Sequence, residues 1–429
     1  MKKIIITMGF GILPFLLSAQ AGHIMQGIGA TNMSMGGAAT AQPIDINGAL
    51  QWNPASISAF HTKQFSFNAG LFFSSPALSS TAPTPGGPFT GLTKDARGVS
   101  VMPALAMVWG NKKGKHTFGV SAFGISGFGV NFPENNMNPI NLPQSEGGFG
   151  QIKSDYQLLQ VGITYAYKID ECWSIGLAPT FNYSSLELAP NPLSSPSSTL
   201  GYPVSNKASA LGIGGQVGIF YNSGKGIKLG ASYKSPQYFG DFDFKNTYLN
   251  GSAAPNVTFK MNYPAILSAG IGYSKNQFDL AIDYRFVNYS NTAGFTAKGW
   301  TSTASVAGFG WNNISVVSAG IQYKGIQKLP LRMGYTYSSN PINSELAFFS
   351  SPATAIIKNG FQFGFGFEVT PKFTLNAMYH HGSSGGSTSG PLLNPMMITA
   401  TNPYGAVPNS DVSYKMTTDL VMLGINYSF

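Results

Sequence analysis

From residue 361 to 368 the chain alternates without a break. Phe361, Phe363, Phe365 and Phe367 stand at every second position, with Gln362, Gly364, Gly366 and Glu368 between them. A period of two puts the four rings on one face of a strand and the small or polar residues on the other. The rhythm recurs in Leu159, Val161, Ile163, Tyr165 and Tyr167, in Phe278, Leu280, Ile282, Tyr284 and Phe286, and at the end of the chain in Val421, Leu423, Ile425, Tyr427 and Phe429. The interleaved positions include Gln160, Gly162 and Thr164 in the first run, Asp279, Ala281, Asp283 and Arg285 in the second, and Met422, Gly424, Asn426 and Ser428 in the last. A soluble sandwich usually carries charge on its outer face. Here the second face is mostly tiny or neutral, which suits a crowded lumen.

Marking strands by this alternation predicts fourteen, over 64–73, 99–109, 116–128, 156–169, 173–186, 208–221, 227–235, 257–273, 278–289, 312–324, 329–337, 355–369, 373–381 and 415–429. Short connections at 111–115, 170–172, 222–226, 274–277, 325–328 and 370–372 alternate throughout with long segments such as 74–98, 187–207 and 382–414, which are rich in Pro, Ser, Gly and Asn. An even strand number, both ends at one rim and strict alternation of short and long connections fit a bacterial outer-membrane barrel with short periplasmic turns. The predicted fold class is therefore all-β, a transmembrane antiparallel β-barrel of 14 strands.

Composition removes the competing classes. Charged residues make only 10% of the 429-residue chain, against about 25% in soluble proteins. Yet the hydrophobic fraction is 43% and mean hydropathy +0.04, and beyond residue 20 no apolar run reaches the ~18 residues of a membrane helix. With 31 Phe and 20 Tyr, the chain has too much to bury to be disordered. Lys2 and Lys3, an apolar stretch over 4–17 and Ala19-Gln20-Ala21 predict a secretory signal peptide over 1–21, the apolar stretch being too short for a membrane anchor. Cys172 is alone, which leaves no disulfide and no cysteine metal site. The formal charge of +9 is scattered along the sequence; its densest cluster, Lys112-Lys113-Gly114-Lys115, is too short for nucleic acid and reads as a solvated turn. An enzyme is not expected. Gly124-Ile125-Ser126-Gly127 is no nucleophile elbow, Gly212-Ile213-Gly214-Gly215 lacks the following helix of a nucleotide site, and His380 and His381 point to opposite faces of a strand, a poor metal pair.

Residues 22–60 break the pattern. They carry small-residue runs, Gly27-Ile28-Gly29-Ala30 and Gly36-Gly37-Ala38-Ala39-Thr40, and no strand alternation. So long a segment is expected to fold inside the barrel as a hatch, with a disordered periplasmic leader as the other reading. The chain thus divides into signal peptide 1–21, hatch 22–60 and barrel 61–429. Within the hatch, Gln51-Trp52-Asn53-Pro54-Ala55-Ser56-Ile57 resembles the Asn-Pro-Ala segment of the FadL-type outer-membrane transporters of long-chain fatty acids and aromatic hydrocarbons. Met261-Asn262-Tyr263-Pro264-Ala265, Gly270-Ile271-Gly272-Tyr273, Ala281-Ile282-Asp283-Tyr284 and Leu331-Arg332-Met333-Gly334-Tyr335 extend the resemblance over essentially the mature chain. It implies a 14-stranded barrel, a hatch in its lumen bearing Asn53, Pro54 and Ala55, and passive uptake of hydrophobic molecules without a cofactor. It also implies that an inward kink in the third strand opens a lateral route into the membrane. The final Tyr427 and Phe429 look like the signal read by the barrel assembly machinery.

The third strand shows such a defect. Phe118, Val120 and Ala122 hold even parity, Phe123 and Ile125 shift to odd, and Phe128, Val130 and Phe132 return to even. A bulge must absorb a one-residue phase change. Ala122, Phe123, Gly124, Gly127 and Gly129 are therefore expected to border a lateral opening, unless the bulge is a plain one. In the long loops, Phe348, Phe349, Leu392 and Leu393 are candidates for an apolar capture groove, together with Phe89, Leu92, Leu249, Met396 and Met397. Arg285 and Arg332, on predicted inward positions, are candidates to meet a ligand carboxylate, although Asp283 beside Arg285 also offers a structural ion pair. The expected partners are a long-chain fatty acid or other hydrophobic ligand, outer-membrane lipid and lipopolysaccharide; the lateral route favours a monomer. A general porin and a structural or adhesive barrel are the alternatives, and a porin should lack the hatch.

Overall fold

The computed structural model describes residues 22–110, 112 and 114–429; the predicted signal segment 1–21 lies outside the described residues. Fourteen antiparallel strands form a closed barrel: β1 Lys63–Ser74, β2 Ser100–Trp109, β3 His116–Phe132, β4 Ile152–Lys168, β5 Trp173–Ala189, β6 Ala208–Asn222, β7 Ile227–Lys234, β8 Ala265–Lys275, β9 Phe278–Asn288, β10 Ile314–Tyr323, β11 Leu331–Ser338, β12 Asn359–Thr370, β13 Phe373–Ser383 and β14 Thr417–Ser428. Each pairs with its neighbour in sequence, and β14 closes on β1 with Phe65 opposite Tyr427. Closure lets the wall strands satisfy most of their hydrogen bonds on one another, as lipid demands.

The period of two sorts the side chains as expected. Phe363, Phe365 and Phe367 of β12 are 48%, 46% and 49% exposed, toward lipid, whereas Gln362 just before them is fully buried. Thirteen strands lie where alternation places them, within four residues at either end. β3, β4 and β5 are each 17 residues long, more than the ~9–11 a tilted crossing needs, so they project beyond the membrane at the long-loop end. The eighth strand is a correction. It starts at Ala265, not at 257, and Ala253–Phe259 instead pairs with Phe242–Thr247 in a hairpin of the preceding loop. The apolar alternation runs on through Val257, Phe259, Met261 and Tyr263, but Pro264 has no N–H to continue a ladder.

At the long-loop end two small sheets cover the barrel. One joins that hairpin to Val204–Ser205; the other joins Ala77–Thr84, Gly87–Lys94, Thr388–Gly390 and Asp411–Lys415.

The N-terminal segment fills the lumen. It folds as helix α1 (Gly29–Ser34), helix α2 (Ile46–Trp52) and a 3-10 turn over Pro54–Ala59. Asp45 caps α2 by accepting from the Gly48 N–H at 3.3 Å. Glycines of the wall let this segment seat closely. A Cβ on Gly176 would stand 2.4 Å from the Ala55 nitrogen, one on Gly218 2.1 Å from Asn53 Oδ1, one on Gly230 2.1 Å from the Thr40 carbonyl oxygen, and one on Gly334 2.0 Å from the Gly36 nitrogen. Side chains there would hold the hatch off the wall.

Candidate functional site

The wall is incomplete between β2 and β3. β2 and β3 pair from Trp109–Phe118 up to Ala104–Phe123 and no further. Beyond that point Ser100 to Pro103 pair only with β1, and β3 continues to Phe132 with β4 as its one wall partner, Asn131 being held on the other side by the Ala96 N–H (2.8 Å) and the Asp95 carboxylate (2.5 Å) of the preceding loop. Pro103 has no N–H to offer β3. The register of β3 slips between Gly124 and Ser126, leaving Ile125 as an unpaired, fully buried bulge. One slip exchanges the faces. Below it Ser121 and Phe123 point inward; above it Ser126, Phe128, Val130 and Phe132 do. The parity changes read from the sequence thus reduce to a single bulge.

The gap opens onto a cavity of about 710 Å³ bordered by Val101, Met102 and Pro103 on one side and by Gly124, Gly127, Phe128 and Gly129 on the other, with Met25 of the hatch at its floor. Gly124, Gly127 and Gly129 therefore lie on its edge. Ala122 and Phe123 stop just below it, in the last paired stretch. The hatch takes up hydrogen bonds that β2 leaves unmade. Ile24 forms an antiparallel bridge to Ser126. The Met25 N–H donates to the Ile125 carbonyl at 3.0 Å, while the Gly127 N–H (3.2 Å) and the Ser126 hydroxyl (2.9 Å) donate to the His23 carbonyl.

Just inside the gap, the imidazole of His23 is enclosed by Phe128, Tyr156, Tyr263, Tyr289, Phe295 and Trp311, with ring centroids 5.1–6.3 Å away. Its Nδ1 meets the Tyr289 hydroxyl at 2.7 Å, and Nε2 has no partner among the described residues. An aromatic box of this kind can take a planar or apolar guest.

The hatch motif anchors the far end of the segment. Asn53 is fully buried; its Nδ2 donates to the carbonyls of Thr40 (2.8 Å) and Ile219 (3.0 Å), and its Oδ1 accepts from the Ala55 N–H at 3.1 Å. Pro54 opens the 3-10 turn, and Ala55 lies on Gly176. Arg285 is bound into the hatch: it pairs with Asp283 at 2.8 Å, donates to the Gly37 carbonyl at 2.5 Å and stacks 3.7 Å from the Trp52 ring. Asp283 in turn accepts from the Ala39 N–H (2.8 Å), the Thr40 N–H (2.9 Å) and the Thr40 hydroxyl (2.7 Å). Arg332 donates to Gln322 at 2.6 Å and to Asn376 at 3.1 Å. Both arginines are thus engaged by protein groups.

The lumenal cation that pattern reading missed is Lys234. Its ammonium is 2% exposed and meets only neutral oxygens, Gln160 Oε1 at 3.1 Å and Gln51 Oε1 at 3.4 Å; it makes no ion pair among the described residues. Beside it the chain turns inward after Pro236, so that Gln237 is buried and accepts from Thr180, Asn182 and Gln160. Gln51 Nε2, Trp52 Nε1 and the Tyr263 hydroxyl have no hydrogen-bond partner among the described residues. The signal was available: a lysine at the inward end of β7, followed by a proline that ends the strand.

Among the loop candidates, Phe348 and Phe349 line a small apolar cleft of about 40 Å³ with Phe149, Trp300 and Ile140; the Trp300 ring lies 5.0 Å from Phe349 and 6.0 Å from Phe348. Leu392 and Leu393 stand elsewhere, Leu393 bridging Ala406 within its own loop. His380 and His381 take opposite faces, His380 bonded to Gln362 inside and His381 to Asp419 outside.

A sequence model of the outer membrane transport protein family OMPP1/FadL/TodX matches residues 18–424. No curated protein sequence matches the chain. Among solved structures, the Pseudomonas putida toluene transporter TodX superposes with a TM-score of 0.68 at 18% identity, covering 94% of this chain and 99% of that one. A Pseudomonas aeruginosa FadL homologue gives 0.71 at 14%, covering 95% and 100%. The CymD monoaromatic hydrocarbon channel gives 0.61 at 18%, covering 94% and 98%. At these identities the likeness is one of fold.

Proposed function

The chain belongs to the OMPP1/FadL/TodX family of outer-membrane transport proteins, and from that premise we propose that its cargo is a long-chain fatty acid that leaves sideways through the gap between β2 and β3. As a member of that family it is a non-enzymatic channel of the outer membrane for hydrophobic compounds. The observation that carries the lateral route is the stretch of β3 from Gly124 that lacks its β2 partner, with the 710 Å³ cavity beside it.

The steps follow from the chemistry of the cargo. The cleft at Phe348 and Phe349 meets the chain first and offers apolar surface that water and lipopolysaccharide do not. That cleft, of about 40 Å³, admits only the tip of the tail; burying about 15 apolar carbons along the whole route supplies roughly 12 kcal/mol before association costs of at least about 4 kcal/mol, which leaves micromolar binding. Deeper in, the box around His23 receives the tail when residues 22–26 of the hatch withdraw. Lys234, Gln51 and the Tyr263 hydroxyl then meet the carboxylate, a charge-assisted contact that Lys234 does not make with any protein carboxylate among the described residues. Withdrawal of His23 to Met25 from β3 also removes the hatch from the edge of the gap, so arrival of the ligand and opening of its exit are one movement. No nucleotide is needed.

A second reading, a planar aromatic hydrocarbon, is supported by the six rings around His23. Competition separates the two: purified protein loaded with a fluorescent fatty acid should release it to oleate at micromolar concentrations and to toluene only near saturation, whereas the reverse order favours the aromatic cargo. A general porin is disfavoured by the filled lumen. Deleting residues 22–60 should abolish selective fatty acid uptake in this account and leave a porin's sugar uptake unchanged.

A further inference from the structure

The net charge, scattered along the sequence, is gathered in space. At the short-turn rim, nine lysines among the described residues stand against four side-chain carboxylates, Asp170, Glu171, Glu368 and Asp279, the last paired with Lys324 at 2.8 Å. The long-loop end carries nine cationic side chains against ten carboxylates. Nearly all of the protein's positive excess therefore encircles the periplasmic mouth.

Seven of these lysines are exposed; setting aside Lys324, which Asp279 holds, the other six, Lys112, Lys115, Lys225, Lys275, Lys328 and Lys372, lie in or beside five of the six short turns. They sit at the level of an outward aromatic belt. Trp109 and Trp173 are 39% and 40% exposed on the lipid face, and Trp173 packs on Tyr221 with centroids 4.8 Å apart. Lys63 lies 4.4 Å over the Phe429 ring and Lys115 5.9 Å over Tyr167. Aromatic belts mark the headgroup plane of a bilayer, and lysines beside them reach into that plane.

We propose that this ring binds anionic phospholipid of the periplasmic leaflet, each exposed lysine holding a phosphodiester head group. A lipid annulus meets every turn at once, whereas a docked acidic protein would cover only part of a ring spread around the circumference. The attraction expected of a lysine at an anionic bilayer surface is a preference of roughly fivefold per contact, screened by salt.

The test uses the full chain in vesicles of phosphatidylethanolamine and phosphatidylglycerol at three to one, extracted gently and read by native mass spectrometry for retained lipid. The wild type should hold phosphatidylglycerol at least about fivefold above its share in the vesicle, and raising salt from 50 to 500 mM should remove most of that excess. Replacing the six exposed lysines by glutamine should bring retention to the vesicle ratio, with the heat-sensitive gel mobility of a folded barrel kept, while arginine at the same six positions should retain the excess. If phosphatidylglycerol is exchanged for lipopolysaccharide, whose phosphates reach the opposite rim, the glutamine changes should leave retention as it was. No excess in the wild type, an equal excess in the glutamine variant, or lipopolysaccharide lost with the lysines would each overturn the proposal; the first, with an acidic periplasmic protein bound instead, would hand the ring to that protein.

Discussion

Replacing Lys234 by Gln separates recognition of a head group from burial of a tail. The ammonium has two neutral acceptors, Gln160 Oε1 and Gln51 Oε1 at 3.1 and 3.4 Å, and no carboxylate partner among the described residues. A carboxylate brought to it gains a charge-assisted hydrogen bond worth about 1.5–3 kcal/mol. At 1.4 kcal/mol per decade, Lys234→Gln should therefore weaken oleate binding by roughly 10- to 150-fold. Oleyl alcohol, which shares the tail and lacks the charge, should lose less than about threefold. Stability should move the other way. An unpaired charge held out of water is a cost to the unliganded fold, so Lys234→Met should raise unliganded stability by on the order of 1–3 kcal/mol. Tryptophan-fluorescence titration with both lipids and a thermal melt of each variant provide the readings. Equal loss of oleate and oleyl alcohol would reduce Lys234 to a structural role, and unchanged oleate affinity would refute a head group at this site.

Four further outcomes follow from the geometry. Gly124→Phe has room at Cβ, whose nearest neighbour would be the Pro103 carbonyl oxygen at 3.9 Å, so its ring should obstruct the gap and cut uptake of radiolabelled oleate at least about tenfold while binding changes little. Gly218→Ala would place a methyl 2.1 Å from Asn53 Oδ1, unseating the hatch; proteoliposome swelling should then show entry of small sugars that the wild type excludes, and the melting point should fall by the equivalent of about 1–3 kcal/mol. Asn53→Ala loses three hydrogen bonds of a fully buried side chain and should destabilise the fold by a similar amount, whereas Leu393→Ala, outside the Phe348 cleft, should leave oleate capture unchanged in a rapid-mixing assay and Phe349→Ala should slow it several-fold.

Much of the fold is legible in the sequence because a lipid-facing wall imposes one rule on every strand. Phe361 to Phe367 and Val421 to Phe429 can satisfy that rule in only one register, so strand identity and facing follow together. The rule fails where the chain leaves the membrane but stays apolar. Val257 and Phe259 keep the alternation in an external hairpin, and only Pro264 marks the true start of β8. The bulge in β3 was readable as a change of phase, and the structure locates it at Ile125. What it leaves unpaired could not be read, because loss of the β2 partner depends on a neighbouring strand and on Pro103. Arg285 and Arg332 attract notice as lumenal cations; the Asp283–Arg285 ion pair is readable two residues apart, whereas Gly37 and Trp52 on the hatch and Asn376 beside Arg332 are distant in sequence. Lys234 goes unnoticed for the converse reason: its importance lies in the acid that is missing beside it.

The lateral exit can be observed in the unaltered protein. A fatty acid carrying a photoreactive diazirine at its tail, bound to the wild-type channel in vesicles, irradiated and mapped by peptide mass spectrometry, should label Val101 to Pro103 and Gly124 to Gly129 along with the rings around His23. Labelling confined to the short-turn mouth, at Asn376, Arg332 and their neighbours, with none along β2 and β3, would mean that cargo travels straight down the bore and would contradict a route through the wall.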